Sequence, residues 1–484
     1  MKMFDDKELL VSFIRECYNS GPDLVNENIY KYGDKLQNRS IYSDLTDLID
    51  NFLEGRSENR FIILPGLRGV GKTTLLFQLY DYLLKKGIDK NQILYFGGDN
   101  LIQLLGSNIR DIVEVFAREI HEKQLVNLDK QLFIFVDESQ EIDGWSKQGK
   151  VIYDLSKKIF MIFTGSVALD LELDVNAVRR TRKEIMFPLS FKEHLLIKYP
   201  NHSFNDISKD VMDCILSGDI ENISKKEMDF SDSLYDLNSS FKKEWEHFLT
   251  YGGFPENIYL SESDSHRQIY SMIEKVVEKD VYHFLSFNNG TKYKIFQMLT
   301  YLALKKPGEL SNVNLAKNIG ISSSRVNSIL KVLEQTHLIF HVNPYGGAGK
   351  TVRKPWKYYF LTPSIGAAIN SKIGRYSPYD TNYLGVLSEN LVASIFFKMN
   401  YLYKRPYGMF YIPHKNHADF LLVKADGTNV PVEVGFGKKS KKQVVKSMNK
   451  YGSEYGIVLS DTTPLIKKEN DIIHMPLTTF SLII

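Results

Sequence analysis

Residues 66–73 have the types and spacing of a phosphate-binding loop. Their sequence, Gly-Leu-Arg-Gly-Val-Gly-Lys-Thr, fits the pattern G-x-x-x-x-G-K-[ST] and lies between a short apolar run and a helix-like stretch. Glycines let backbone N–H groups surround a phosphate, and the N-terminus of the following helix attracts the anion. The alternative is a glycine-rich turn that holds no ligand. The pattern predicts that the phosphates of ATP are bound by Gly66, Leu67, Arg68, Gly69, Val70, Gly71, Lys72, Thr73 and Thr74.

Two acids, Asp137 and Glu138, follow another apolar run at residues 133–136. Phosphoryl transfer depends on positioning and charge compensation more than on covalent chemistry. We therefore expect Lys72 to reach the β- and γ-phosphates, Thr73 and Asp137 to hold Mg²⁺, and Glu138 to orient the attacking water. An acidic pair that merely ends a strand at the solvent is the alternative, but the preceding phosphate loop favours catalysis.

Polar side chains also follow the apolar run at residues 159–163. The C-terminal edge of a parallel sheet faces the ligand crevice, so Thr164 or Ser166 could touch the γ-phosphate or the water. A helix N-cap by Ser166 is the alternative. Three arginines follow at 179, 180 and 182, and such a side chain could stabilise transition-state charge in cis or from a neighbouring subunit. A solvated basic helix end stays open as the other interpretation.

These motifs need a parallel sheet to bring them together. Apolar runs at residues 61–64, 93–96, 132–136 and 159–163 alternate with helix-like segments, which predicts an α/β fold with helices on both faces of the sheet. Residues 191–280 have a helical pattern and include a polar, acid-rich stretch near 206–236 that could be a mobile insertion. After residue 385 the pattern returns to α/β, with a helix at 387–397 and strands near Phe410, Phe420 and Val432.

Composition excludes several classes of protein. The 484 residues carry a net charge of +3, and the two cysteines, Cys17 and Cys214, suggest neither a disulfide framework nor a cysteine zinc site. Acids near the N-terminus argue against a signal peptide, and no apolar stretch is long enough to span a membrane. We therefore expect a cytoplasmic protein.

The charge is unevenly distributed. Residues 281–370 contain eleven Lys or Arg and two acids, Glu309 and Glu334, which is typical of a segment that binds a phosphate backbone. A solvated face, or a contact with the acidic remainder of the chain, is the alternative. Helical patterns at 295–304 and 312–319, a third helix capped by Ser322, and a hairpin from Leu338 predict a winged helix-turn-helix. Double-stranded DNA is thus a candidate partner for residues 312–357, with phosphates contacting Lys350, Arg353, Lys354 and Lys357.

With both nucleotide motifs in place, the chain resembles a prokaryotic family of AAA+-superfamily P-loop ATPases. The similar motifs are 136–140 (Val-Asp-Glu-Ser-Gln), 163–166 (Phe-Thr-Gly-Ser), 188–193 (Pro-Leu-Ser-Phe-Lys-Glu) and 251–256 (Tyr-Gly-Gly-Phe-Pro-Glu). By this resemblance Arg180 corresponds to the arginine of a Gly-Arg pair that is usual in the family. In this chain Arg179 replaces the glycine. We count Arg180 with Lys72 and Glu138 as candidate catalytic residues.

The resemblance also implies a C-terminal winged helix and a restriction-endonuclease-like domain of unknown function. That fold places a helical Glu, an Asp before a strand and Glu-x-Lys on the next strand around magnesium. Here Glu389, Asp419 and Glu433 match, but Gly435 occupies the lysine position, and Lys438 and Lys439 lie farther along. The predicted domains are a P-loop ATPase (1–190), a helical lid (191–285), a winged helix (286–370) and a degenerate nuclease-like domain (371–484).

Three functions are compatible with the sequence. The first is Mg²⁺-dependent ATP hydrolysis that drives a conformational switch on DNA. The second is an ATP-gated DNA-binding regulator with little turnover, and the third is a metal-dependent nuclease. Glu138 favours the first and Gly435 disfavours the third. A homo-oligomer or a protein partner is compatible with each.

Overall fold

The computed structural model describes the chain except for residues 1, 57, 167–173, 203, 234–239, 283–284, 286–288, 307, 348–353, 403–406, 438–440 and 484, and it leaves out the side chains of 2–7, 102–105 and 289. Contacts divide the chain into two compact units, Met1–Phe187 and Pro188–Ile484. No helix in the described part of the chain is long and apolar enough to cross a membrane.

A parallel sheet forms the centre of the first unit. Its strands are β3 (Phe61–Pro65), β4 (Ile93–Gly97), β5 (Leu132–Asp137), β6 (Ile159–Gly165) and β7 (Arg182–Lys183), which lie in the order β4-β5-β6-β3-β7. A small hairpin, β1 (Tyr30–Lys31) and β2 (Asp34–Lys35), precedes them. Because β6 lies between β3 and β5, the carboxyl ends of all three meet at one edge of the sheet.

Helices cover this sheet. The side chains of β3, β5 and β6 are buried along their whole length, which is the pattern of a parallel sheet covered on both faces. The predicted α/β fold with a parallel sheet is confirmed. The helices of this unit are Lys2–Ile29, Ile41–Leu53, Lys72–Lys85, Gly98–Leu105, Ile109–Ile120, Trp145–Leu155 and Val175–Val178.

The second unit begins with helices. They are Phe191–Lys198, Ser208–Ser217, Glu221–Ser233, Phe241–Tyr251, Glu262–Lys275, Asn289–Leu304, Asn312–Ile319 and Ser323–Gln335. Two of these helices, Ser208–Ser217 and Glu221–Ser233, occupy the described part of the acid-rich stretch, and its mobility stays a prediction. Glu227 of this stretch is buried and accepts hydrogen bonds from the Ile466 backbone (2.6 Å) and from Thr479.

The described residues after these helices form an eight-stranded sheet. Its strands are β8 (Ile339–Pro344), β9 (Lys357–Phe360), β10 (Tyr407–Tyr411), β11 (Phe420–Lys424), β12 (Asn429–Gly435), β13 (Gly456–Ser460), β14 (Lys467–Glu469) and β15 (Ile472–Pro476). The accompanying helices are Pro363–Lys372, Thr381–Leu402, Lys442–Tyr451 and Leu477–Phe480.

The hairpin β8–β9 belongs to this larger sheet. β8 pairs in parallel with β10 through Phe410 opposite Asn343 and Tyr411 opposite Pro344, so the strand order is β14-β15-β13-β12-β11-β10-β8-β9. The four-domain division stays a prediction, but one sheet runs across its boundary at residue 370.

Candidate nucleotide-binding site

The phosphate loop follows β3 directly and is shaped by its glycines. Gly69 and Gly71 have φ values of 80° and 97°, a conformation that side chains with a Cβ rarely adopt. A Cβ at Gly66 would lie 2.5 Å from the carbonyl oxygen of Met186, so only glycine fits this close approach. The helix Lys72–Lys85 begins at Gly71, and its first backbone N–H groups therefore point toward the loop. Thr74 lies in the first turn of this helix.

Lys72 is held inside the loop. Only 5% of its surface is exposed, and its ammonium donates hydrogen bonds to the carbonyl oxygens of Gly66 (3.0 Å) and Leu67 (3.1 Å). A cation at this point, together with the loop amides, forms a compact positive site for a polyphosphate.

Asp137 joins three elements at the edge of the sheet. Its Oδ2 accepts a hydrogen bond from the Thr73 hydroxyl at 2.5 Å and lies 3.4 Å from the Tyr95 hydroxyl, and its Oδ1 accepts from Thr164. Burial, followed by the charge of Asp137, raises the pKa of Tyr95, so this phenol stays a neutral donor. A carboxylate beside a hydroxyl is an oxygen donor set that suits Mg²⁺.

Glu138 is oriented by its neighbours. Its backbone has φ 50°, in the left-handed region that few residues other than glycine occupy. Its carboxylate lies 3.5 Å from Arg68 of the phosphate loop and accepts a hydrogen bond from the amide of Gln140. The Gln140 carbonyl in turn accepts from the backbone N–H of Ser166 at 3.2 Å, so one side chain connects Glu138 to the end of β6.

Arg39 supports the loop from behind. Its side chain is 8% exposed, and its guanidinium donates to the carbonyl oxygens of Val70 (2.7 Å) and Phe187 (2.9 Å). No sequence motif marks this arginine, and its low exposure and its two carbonyl partners reveal it only in the structure. The same is true of Tyr95. Gln140, in contrast, lies within the quoted motif at 136–140.

The remaining predicted residues occupy different surroundings. Thr164 and Ser166 are buried at the carboxyl end of β6, and within the described part of the chain the Ser166 Oγ has no hydrogen-bond partner. Arg180 donates to Asp154 at 3.1 Å, on the helix Trp145–Leu155. No contact of Arg180 with the phosphate loop is found among the described residues, so its catalytic role stays a prediction.

The three candidate nuclease acids each have a protein partner. Glu389 accepts from the Tyr359 hydroxyl at 2.8 Å and lies 3.6 Å from Lys357, Asp419 accepts from the Val434 backbone at 2.9 Å, and Glu433 accepts from Gln443 at 3.0 Å. Among the described residues, no group of three or more His, Cys, Asp or Glu is placed to hold a metal ion.

Burial raises the pKa of Glu389 to about 7, and the charge of Lys357 opposes this shift while that of Asp419 adds to it. The Lys357 side chain is only 14% exposed and lies 3.6 Å from the Glu389 carboxylate, which makes it a poor candidate for the predicted phosphate contact. Lys350, Arg353, Lys438 and Lys439 lie outside the described residues.

Comparison with other proteins places this site in a family. A family model described as an AAA domain matches residues 58–195, and one described as a domain of unknown function matches residues 242–375. Uncharacterized protein MJ1637 of Methanocaldococcus jannaschii is 32% identical over 454 residues, which cover 93% of this chain and 90% of that protein. The chain belongs to the family of MJ1637. Uncharacterized protein MJ1544 of the same organism is similar to it, with 22% identity over 81% of this chain and 78% of its own length.

The similarity to MJ1637 covers 93% of this chain and therefore extends into both units. The match at 58–195 contains the phosphate loop, Asp137 and Thr164, and together with the observed sheet it confirms an AAA-type P-loop nucleotide-binding fold.

Solved structures are similar at a lower level. The ORC1 protein of Aeropyrum pernix in complex with DNA has a TM-score of 0.31 and 11% identity over 70% of this chain and 94% of its own. The RuvB Holliday junction branch migration motor of Thermotoga maritima has a TM-score of 0.26 and 15% identity over 63% and 90% of the two chains. At these TM-scores the likenesses add no support for a shared mechanism.

Proposed function

We propose that this protein hydrolyses ATP to ADP and phosphate in a Mg²⁺-dependent reaction. The observation that carries the proposal is the contact between Thr73 and Asp137, because it joins the start of the phosphate-loop helix to the end of β5. A hydroxyl and a carboxylate at this distance are oxygen donors that would hold a magnesium ion beside the bound nucleotide. The bound ion would supply charge compensation for the transferred phosphoryl group.

Triphosphate binding and activation of the attacking water are assigned to residues of this chain. Backbone amides of residues 66–74 and the ammonium of Lys72 bind and orient the triphosphate. The carboxylate of Glu138 orients the water that attacks the γ-phosphorus and accepts its proton. Gln140 and Arg68 hold that carboxylate in place, and the Thr164 hydroxyl fixes the orientation of Asp137.

Two variants separate binding from hydrolysis. Lys72→Ala is expected to abolish tight binding of ATP, whereas Glu138→Gln is expected to bind ATP but to lose about 10²–10⁴-fold in turnover, the usual contribution of a general base. Phosphate release and equilibrium binding of a fluorescent ATP analogue measure the two effects. The exposed Lys157→Ala and Glu58→Gln are matched controls and should behave as wild type. Wild-type turnover in Glu138→Gln would contradict the proposed role of this carboxylate.

We further propose that turnover drives a conformational switch on DNA, with residues 312–357 as the contact. Support comes from the charge of the segment and from the exposed lysines Lys317 and Lys331 on its helices. Phosphate release with and without duplex DNA, at low and moderate salt, tests this proposal. Stimulation that disappears with salt is expected. If the rate of phosphate release does not change with DNA, the proposed ATPase activity is retained and the proposed DNA switch is excluded.

Metal-dependent cleavage of nucleic acid is not proposed. Glu389, Asp419 and Glu433 have protein partners in Tyr359 and Lys357, in the Val434 amide and in Gln443. Within the part of the chain that the structure describes, no group of three or more His, Cys, Asp or Glu is placed to hold a metal ion.

A further inference from the structure

A groove of about 680 Å³ opens beside the hairpin β8–β9 in the second unit. It lies between the helix Ser323–Gln335, the start of the helix Asn312–Ile319 and one face of the hairpin. Asn327, Lys331 and Glu334 reach it from one helix face, since they are spaced four and three residues apart. The hairpin contributes His341, Trp356 and Tyr358.

The hairpin side of the groove is an aromatic platform. The rings of Trp356 and His341 are stacked, with centroids 3.9 Å apart and planes 12° apart. Glu334 accepts a hydrogen bond from Nδ1 of His341 and so fixes the orientation of that ring. Trp356 is 37% exposed, whereas the other two tryptophans, Trp145 and Trp245, are 1% and 0% exposed. A large aromatic surface is therefore presented to solvent in this groove, in contrast to the other tryptophans.

Cations and amides surround the platform. Lys331 is exposed, and Lys354 is half-buried with its ammonium 3.4 Å from the carbonyl oxygen of Pro413. The amide of Asn312 donates to Asn327, and within the described part of the chain its own carbonyl oxygen is buried without a hydrogen-bond partner. Amide groups of this kind match the donor and acceptor edges of nucleobases, and ammonium groups match phosphates.

We propose that this groove binds an unpaired base of a nucleic-acid strand, stacked on Trp356, with adjacent phosphates at Lys331 and Lys354. A base inside a duplex is already stacked on both faces, so only an unpaired base can offer a face to an aromatic side chain. The inference rests on the proposed nucleic-acid contact and narrows it from duplex DNA to an exposed base. DNA and RNA strands share this chemistry.

The test measures binding of fluorescein-labelled dT15, rU15 and a 15-base-pair duplex to the full chain by anisotropy. Trp356→Ala is expected to weaken binding of the single strand about 10-fold or more, and Trp356→Phe is expected to retain most of the affinity. Lys331→Ala is expected to lower the slope of log affinity against log salt by about 0.7, the effect of one lost phosphate contact on a single strand. Unlabelled dT15 should quench tryptophan fluorescence, because the exposed indole is the one in the groove.

Two exposed residues of the same unit serve as controls. Tyr379 is 94% exposed, and Lys446 is exposed on the helix Lys442–Tyr451, so Tyr379→Ala and Lys446→Ala should leave binding unchanged. Preference for dT15 or for rU15 identifies which strand the groove takes, and either result with Trp356 dependence supports the inference.

Unchanged single-strand affinity in Trp356→Ala overturns the inference. Binding of the duplex alone overturns it but keeps the proposed DNA contact, and binding of none of the three probes overturns both. These outcomes do not depend on ATP turnover, since the binding measurements contain no ATP. Trp356→Phe keeps an aromatic ring at this position and so separates the loss of stacking from misfolding. An equal loss of affinity in the Phe and Ala variants would also refute stacking.

Discussion

Replacement of Arg39 by methionine is the strongest test of how the phosphate loop is positioned. Arg39 is buried, and its guanidinium donates to two carbonyl oxygens, those of Val70 and Phe187. Methionine fills a similar length but donates no hydrogen bond. The substitution therefore leaves the backbone carbonyl of Val70, inside the loop, without this partner.

The magnitude follows from the two hydrogen bonds. Each hydrogen bond with a charged partner contributes about 1.5–3 kcal/mol, and relief from burying the guanidinium offsets part of the loss. We expect a net loss of about 2–4 kcal/mol in the free energy of unfolding of the first unit. For a unit of this size that corresponds to a fall in Tm of about 4–16 °C. Affinity for ATP should fall about 10-fold or more, because the loop amides are no longer held in one arrangement.

Two measurements check this expectation. Fluorescence of Trp145 follows unfolding of the first unit in a chain that also carries Trp245→Phe and Trp356→Phe. Equilibrium binding of ATP gives the second readout. Arg15→Met, at an exposed arginine of the same unit, is the matched control. An Arg39→Met variant with both the Tm and the affinity of wild type would refute the reasoning.

Further predictions concern the metal, the catalytic glutamate and the buried acid of the second unit. Thr73→Val should raise the Mg²⁺ concentration for half-maximal turnover about 10-fold or more, and Thr73→Ser should not, since only the hydroxyl beside Asp137 is needed. Gln140→Ala should lower kcat for ATP about 10-fold with little change in KM, because its amide orients Glu138 and does not bind phosphate; a change confined to KM would contradict this. The raised pKa of Glu389 means that the native state retains a proton that the unfolded state loses, so stability should decrease as the pH rises from about 4.5 to about 7. Glu389→Gln should flatten that dependence, by about 3 kcal/mol at most, in urea unfolding at several pH values, and an unchanged slope would exclude Glu389 as its source.

The amino-acid sequence was sufficient to predict strands β3 to β6 of the first unit and the motif residues of the candidate nucleotide-binding site. Apolar runs predicted β3, β4, β5 and β6 within two residues of their observed ends, because a fully buried parallel strand needs a continuous apolar run. The glycines of the phosphate loop predicted its course, because the φ values of 80° and 97° are a local property of Gly69 and Gly71. The contacts among Thr73, Asp137 and Thr164 follow from the rule that parallel strands end at one edge.

Which distant side chains complete the candidate site depends on contacts that form only in the folded chain. Arg39 reaches a carbonyl 31 residues away in the loop and another 148 residues away, and no local pattern encodes such a pairing. Tyr95 shares Asp137 with the loop only because β4 lies beside β5.

The second unit shows the same limit. The sequence presented Lys357 as one more cation of a basic segment, yet the side chain points to Glu389 in the interior. Its neighbour Trp356 lines the groove. Successive side chains on a strand point to opposite faces, so the direction of each depends on the register of β9 against β8. That register is set by the packing of the whole sheet. Backbone conformation depends on local interactions and can be predicted from the sequence, whereas the partners of a side chain depend on which distant residues the fold brings near it.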